Sequence, residues 1–400
     1  MTSRERVLTA LAHEEPDRVP IDLGGSRCSG IHALAYARLR DHLGLGGRPF
    51  RMYDVMQQLA DPEPEILDRL NIDTVQVHRL RPVFGMPIDR WKQGCLPDGT
   101  PCLVPYDYAP LQRPDGTWRL HSPDGTEIAR MSADGGYFER SHFPLAEART
   151  PEEIDQATWP PVTDEEIAFI RSQALRLRSE SDRAIVMGFG GNILEAGNNA
   201  CGFQNFMVRL AEDPELVEAL FSRVTRWYLE SLDRLLPAIE GLVDVIVVGD
   251  DLGTQESLIV SPAMYRRLIK PYQAQVYSRI RAGSSARLML HSCGAIEPII
   301  GDLIEIGVQV LNPVQISAAG MDPIHLKKTY GRHLTFWGGG CDTQVMLPRA
   351  PLDELARHVR ALVEVFKPGG GFVFTQVHNI LANVAPERIL TVYETAYKAG

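Results

Sequence analysis

No stretch of this 400-residue chain concentrates positive charge, and 41 basic residues against 51 acidic ones leave a net charge of −10. That balance argues against nucleic acid and anionic membrane as main partners. No apolar run approaches the ~20 residues of a transmembrane helix. The opening Met1-Thr-Ser-Arg-Glu-Arg6 enters a polar helical pattern and lacks the apolar core of a secretory signal. The six cysteines, at 28, 95, 102, 201, 293 and 341, are too scattered for a disulfide framework and read as reduced thiols. A cytoplasmic protein is the expectation. A dinucleotide fingerprint is missing too, since Gly188-Phe-Gly-Gly-Asn-Ile193 has neither the last glycine nor an acidic residue on the next strand.

What the chain does have is an alternation of short β-rich runs with longer amphipathic stretches, and 44% apolar residues to build a core. Eight candidate strands stand out: Val19–Leu23, Thr74–His78, Ala184–Phe189, Asp244–Val248, Arg287–His291, Val308–Val314, Leu334–Trp337 and Gly371–Gln376. Helical patterns lie between them, two of them opened by an N-cap residue followed by proline, Asp213-Pro214 and Ser261-Pro262. The pattern predicts an α/β fold, a single (β/α)₈ TIM-type barrel domain over residues 1–400. Residues 90–145 break the rhythm with three Pro-Asp-Gly-Thr turns at 97–100, 114–117 and 123–126. They predict a small β-hairpin or meander inserted after the second strand: a lid, a docking surface or a mere excursion of the chain.

In a barrel of this kind chemistry gathers at the C-terminal ends of the strands. His291-Ser-Cys293 ends one strand and Cys341 follows the triple glycine that ends another. His291 and Cys293 are two apart and share a face in extended chain; Cys341 lies 341 − 293 = 48 residues on. One imidazole and two thiols make a three-ligand zinc site with a fourth position open. The competing reading is a buried histidine beside two inert core cysteines. Asp250 and Asp251 are candidates for a further ligand, a general base or a substrate anchor, against an N-cap role. Glu195 and His378 are further catalytic candidates, against a cap and a hydrogen bond within the rim. Gly338–Gly340 either cradles a phosphate or turns the chain tightly so that Cys341 reaches the metal.

Pro16-Asp-Arg-Val-Pro20, Gly249-Asp-Asp-Leu-Gly-Thr-Gln255, Leu290-His-Ser-Cys-Gly294, Leu311-Asn-Pro-Val-Gln315 and Phe336-Trp-Gly-Gly-Gly340 resemble the uroporphyrinogen decarboxylase superfamily over nearly the whole chain. The resemblance implies a (β/α)₈ barrel. True decarboxylases carry an arginine-rich loop after the first strand; here Gly24-Gly-Ser-Arg27-Cys-Ser-Gly-Ile31 has one arginine, too few to grip several carboxylates. The chain is more similar to the cobamide-dependent methyltransferases, whose His-x-Cys … Cys zinc pattern falls on His291, Cys293 and Cys341. That branch implies Zn²⁺ plus a corrinoid such as methylcobalamin, with Arg27, Asn198, Gln376 and Gly339 as candidate cofactor contacts. No Asp-x-His-x-x-Gly motif is present, Asp322-Pro-Ile-His325 having the wrong spacing, so the corrinoid would ride on a separate corrinoid-binding protein.

The leading expectation is therefore a zinc-dependent methyltransferase moving a methyl group between that corrinoid and a small thiol acceptor or methoxylated donor. A carboxy-lyase without corrinoid, using Asp250, Asp251 and Arg27 on a carboxylated substrate, is the alternative; a non-catalytic tetrapyrrole-binding barrel is the third. Tyr106, Tyr108, Trp118 and Phe138 in the insertion would suit an aromatic substrate or simply pack the hairpin. No heptad pattern sets the oligomeric state, and a homodimer stays open.

Overall fold

Seven of the eight candidate runs become parallel strands: β1 (Thr74–Val77), β2 (Ala184–Gly190), β3 (Val245–Gly249), β4 (Arg287–His291), β5 (Val310–Asn312), β6 (Thr335–Trp337) and β7 (Phe372–Val373). Known from a computed structural model, the structure describes every residue except Asp134, inside the inserted segment, and Pro160. Each strand pairs with its neighbour in sequence, giving one curled α/β sheet in the order β7-β6-β5-β4-β3-β2-β1. Parallel neighbours need a crossover, and helices such as Pro214–Ile239 and Lys270–Gly283 supply it.

The period-two pattern sorts the strand residues into two sets. Ala184, Val186, Val245, Val247, Met289, Val310, Trp337 and Val373 cluster with Val7 and Leu11 of the N-terminal helix Ser3–Leu11. That helix plugs the concave side of the sheet at one end. The alternate residues, among them Ile185, Met187, Ile246, Val248, Leu288 and Leu290, join the larger core formed with the outer helices. Truncating one of these buried leucines to alanine costs ~2–5 kcal/mol.

The remaining candidate, Val19–Leu23, is reduced to a single bridge, Ile21 with Phe374. Around it Phe374 N–H donates to Pro20 O at 2.8 Å, Asp22 N–H to Phe374 O at 2.8 Å, and Asp73 N–H to Ile21 O at 2.8 Å. Pro20 has no N–H to extend a ladder, and the chain turns just afterwards, where Gly25 N–H bonds Asp22 Oδ1 at 2.8 Å. The segment is pinned by charge instead. Arg18 donates to both oxygens of fully buried Asp73, at 2.7 and 2.9 Å, and Arg6 adds a third bond at 2.7 Å. Pro16-Asp-Arg-Val-Pro20 is thus a structural clamp, not a part of the site.

Between β1 and β2 the chain builds more than a hairpin. Trp91–Cys95 pairs antiparallel with Pro101–Pro105, and a separate four-stranded antiparallel sheet runs through Leu111–Gln112, Trp118–His121, Glu127–Met131 and Glu139–Arg140. The three Asp-Gly-Thr turns are built alike. Asp98, Asp115 and Asp124 accept the backbone N–H of Thr100, Thr117 and Thr126 at 3.0, 2.9 and 3.1 Å. The intervening Gly99, Gly116 and Gly125 sit at φ of 88°, 84° and 88°, where a Cβ is strained. Tyr108 meets Phe138 edge-on at 6.4 Å, so these two pack the insertion, while Tyr106 is half exposed. No helix of the described residues is long and apolar enough to cross a membrane.

Candidate metal centre

Alternation along β4 turns Met289 into the concave core and brings His291, two residues on, to the same face at the strand's end. His291 is buried, and its Nδ1 lies 2.6 Å from Asn312 Oδ1 at the end of β5. Asn312 spends its amide N–H on the Trp337 carbonyl at 2.8 Å, so its oxygen must face the ring. His291 Nδ1 therefore donates, and Nε2 is the atom that gains or loses a proton. Nε2 lies 3.5 Å from Cys293 Sγ and 3.7 Å from Asp251 Oδ1.

A second imidazole completes the cluster. His378 follows β7 at a φ of 64°, and its ring centroid is 5.4 Å from that of His291. Ligand atoms of His291, Cys293 and His378 all lie within 4.8 Å of one another. Burial pushes His378 down to about 4, so it is neutral and its lone pair is free at pH 7. Burial also works against charge on His291, but the Cys28 and Cys293 thiols outweigh it and hold that imidazole well above its ordinary value. A proton thus favours the place where a cation would meet Nε2 and Sγ side by side. Two imidazoles and one thiol form a donor set that suits zinc.

Cys341, anticipated as the third ligand, is not in this cluster. It is fully buried in the main hydrophobic core, with Sγ 3.5 Å from the Asp342 carbonyl, and burial pushes its thiol up. The reason lies in the preceding glycines. A Cβ on Gly338 would stand 2.1 Å from Pro313 O, and one on Gly340 2.3 Å from Phe374. The glycines let this loop press between those neighbours, and Gly340 N–H to Thr375 O and Val377 N–H to Cys341 O, each 2.9 Å, carry the pairing past β7. The ladder delivers His378 to the site and leaves Cys341 in the main core.

The chain matches the uroporphyrinogen decarboxylase family over residues 137–399. It belongs to that family. This family member shares its overall fold with a methyltransferase from Methanosarcina mazei, at 16% identity and a TM-score of 0.57, covering 100% of this chain and 98% of that one. A B12-independent methionine synthase from Shewanella sp. W3-18-1 is more distant, at 10% identity and a TM-score of 0.37 over 84% of this chain and 83% of that one. No curated protein matches the chain.

Within this family member the acidic candidates separate. Asp250 is fully buried and accepts N–H bonds from Ile193, Leu194 and Glu195 at 2.9, 3.0 and 2.8 Å, plus one from Gln273 Nε2 at 2.9 Å. It caps helix Leu194–Cys201, whose own preceding residue offers no side-chain cap. Burial and the Glu195 charge push its carboxyl up to about 7 despite those donors. Its oxygens are spent on the helix, so the catalytic expectation for Asp250 gives way to a structural one. Asp251 instead touches the cluster, accepting the Cys293 N–H at 2.8 Å. Glu195 is held by Asn192 Nδ2, and burial and Asp251 raise its carboxyl toward the protonated form.

The anticipated cofactor contacts do not form a corrinoid cradle. Arg27 is tied to fully buried Asp54, 3.0 Å from Nε and 2.9 Å from Nη2. Gln376 is buried and accepts from Tyr393 Oη at 2.6 Å, and a Cβ at Gly339 would crowd Val314 at 3.2 Å. Asn198 Oδ1 and Gln376 Nε2 are buried with no partner among the described residues. Asn312 was missed as a site residue, although its place at a strand end after an apolar run was a usable signal.

Proposed function

We propose that this protein is a zinc-dependent methyltransferase that moves a methyl group between a corrinoid on a separate protein and a small substrate. The observation that carries the proposal is the His291–Cys293–His378 cluster at the strand ends. Family membership and the fold shared with the Methanosarcina mazei methyltransferase support it. We read the Ile21 bridge as the vestige of a first strand, which makes the whole chain one (β/α)₈ barrel with residues 90–145 as an insertion. The free thiols fit a cytoplasmic protein.

His291 Nε2, Cys293 Sγ and His378 would hold the metal, with Asn312 fixing the His291 ring. Bound zinc supplies Lewis acidity, which favours a substrate thiol as thiolate or polarises an ether oxygen. The chain's own carboxyls manage the proton. Asp251 is placed to accept the proton that a substrate thiol would release on becoming a thiolate. In the reverse sense Glu195, favoured in its protonated form, donates to the oxygen that leaves as the methyl departs. The residues present do not form a corrinoid site, so no step is assigned to that cofactor within this chain.

Metal analysis, followed by methyl transfer with methylcobalamin and a panel of thiols and methoxyarenes, tests the proposal. Near-stoichiometric zinc and chelator-sensitive transfer are expected. Carbon dioxide release from a carboxylated substrate, with neither zinc nor corrinoid, would replace it with the carboxy-lyase reading. The Arg27–Asp54 pair weighs against that reading, because the one guanidinium of the loop is already neutralised.

A further inference from the structure

The insertion carries an unusual charge. Arg140 ends the four-stranded sheet, and its Nε is shut off from solvent with no hydrogen-bond partner among the described residues. Its guanidinium carbon stands 5.3 Å from the centre of the Phe84 ring, and none of the ion pairs of the described residues includes it. A half-buried arginine without a carboxylate is costly, because its charge loses water and gains no counter-charge.

The surroundings explain where that charge points. Phe138 N–H bonds the Met56 carbonyl at 2.7 Å, and Arg27 Nη2 lies 3.9 Å from Met56 Sδ. The Phe138–Arg140 segment therefore rests against the loop that holds Arg27 and Cys28. Tyr137 stands just before it, and Gln57, next to Met56, accepts from Asn379 Nδ2 at 2.6 Å, beside His378. Asp54, which holds this loop, is used up: Oδ1 takes the Met56 and Gln57 N–H groups at 2.9 Å each, and Oδ2 takes Arg27. Burial and then the Arg27 charge lower Arg140 from its ordinary value.

We propose that Arg140 recognises a carboxylate on the small substrate, so that the insertion reads the anionic end of the molecule while its methyl-bearing end meets the His291–Cys293–His378 cluster. One unneutralised guanidinium matches one carboxylate through two parallel N–H···O bonds. A phosphate dianion would leave charge uncompensated, since Arg27 is already paired. The Phe84 ring under Arg140 and the nearby Tyr137 suit a flat, aromatic body between the two ends. The assignment rests on the methyltransferase reading for the second end only.

The test compares binding of 4-methoxybenzoate and 4-methoxybenzamide by calorimetry, with zinc content and melting temperature recorded for every variant. The benzoate is expected to bind at least about tenfold more tightly than the amide. Arg140→Gln should erase that difference, and Arg140→Lys should retain part of it, with zinc content and melting unchanged in both. Equal binding of the two probes to the wild-type protein, or discrimination that survives Arg140→Gln, would overturn the assignment. Inorganic phosphate competing as well as the benzoate would overturn the choice of carboxylate. Binding needs no corrinoid and no turnover, so discrimination in a protein that takes up no zinc would sink the methyl-transfer reading alone.

Discussion

His291 Nδ1 lies 2.6 Å from Asn312 Oδ1, and this one contact decides which nitrogen of the ring is available to a metal. Asn312 cannot flip without losing its 2.8 Å bond to the Trp337 carbonyl, so the ring is held from two strands away. Replacing Asn312 by alanine removes the acceptor and frees the ring to rotate. Zinc affinity should fall by about 10–100-fold, as for other residues that orient a metal-bound histidine. Competition against a chromogenic chelator measures it. Unchanged affinity would mean that His291 is held by packing alone.

Ligand variants separate the cluster seen in the fold from the one read in the sequence. His378→Ala and Cys293→Ser should each bring zinc well below one equivalent. Cys341→Ser should keep its zinc and lose stability instead, because a hydroxyl would replace a thiol that is fully buried in the core. The cost is roughly 1–3 kcal/mol. Elemental analysis with urea titration reads both effects. The reverse pattern, zinc kept in His378→Ala and lost in Cys341→Ser, would restore the His-x-Cys … Cys set.

Asp250 is expected to behave as a helix cap. Alanine there leaves three backbone N–H groups and the Gln273 amide without their acceptor. The loss should be roughly 2–4 kcal/mol of stability, a cap together with buried donors left unpaired. Zinc content should hold near the wild-type value, since no cluster atom depends on Asp250 oxygens. Asp250→Asn, which keeps one acceptor oxygen, should lose less. A stable Asp250→Ala protein that binds zinc but has no methyl transfer would return this residue to the catalytic list.

Most strands were legible because a parallel strand buried on both faces is a continuous aliphatic run, as Val245–Val248 and Arg287–His291 show. The first was not, because its ladder is cut short by Pro20 and held by Arg18 on Asp73, a pairing between residues 55 apart that no local pattern encodes. His291 and Cys293 were legible through the two-residue period. The third member of the cluster was not, since Cys341 and His378 both follow strand-like runs and only the ladder between 338–341 and 373–377 shows which one stands beside His291. Asp250 and Asp251 are neighbours in sequence, yet one is committed to a helix N-terminus and the other to Cys293. Arg140 drew no notice because an unpaired charge is visible only once every nearby carboxylate has been accounted for.

His32 makes stability depend on pH through the start of a helix. It precedes helix Ala33–His42, and its Nδ1 accepts the Leu34 N–H at 3.1 Å, which requires the neutral ring. Nε2 is buried and has no partner among the described residues, and burial pushes the imidazole down to about 4. The unfolded chain takes up that proton near pH 6.5. The folded form refuses it until pH falls to about 4, so acid favours unfolding across that window. The contribution is fully present above about pH 6.5 and disappears as pH drops toward 4, a loss of at most roughly 3 kcal/mol. His32→Asn keeps a side-chain acceptor for the helix but does not titrate. Urea unfolding at pH 7 and pH 5 should show a steeper decline for the wild-type protein than for the variant. Parallel declines would show that solvent reaches the His32 ring and that it carries its proton in the folded state.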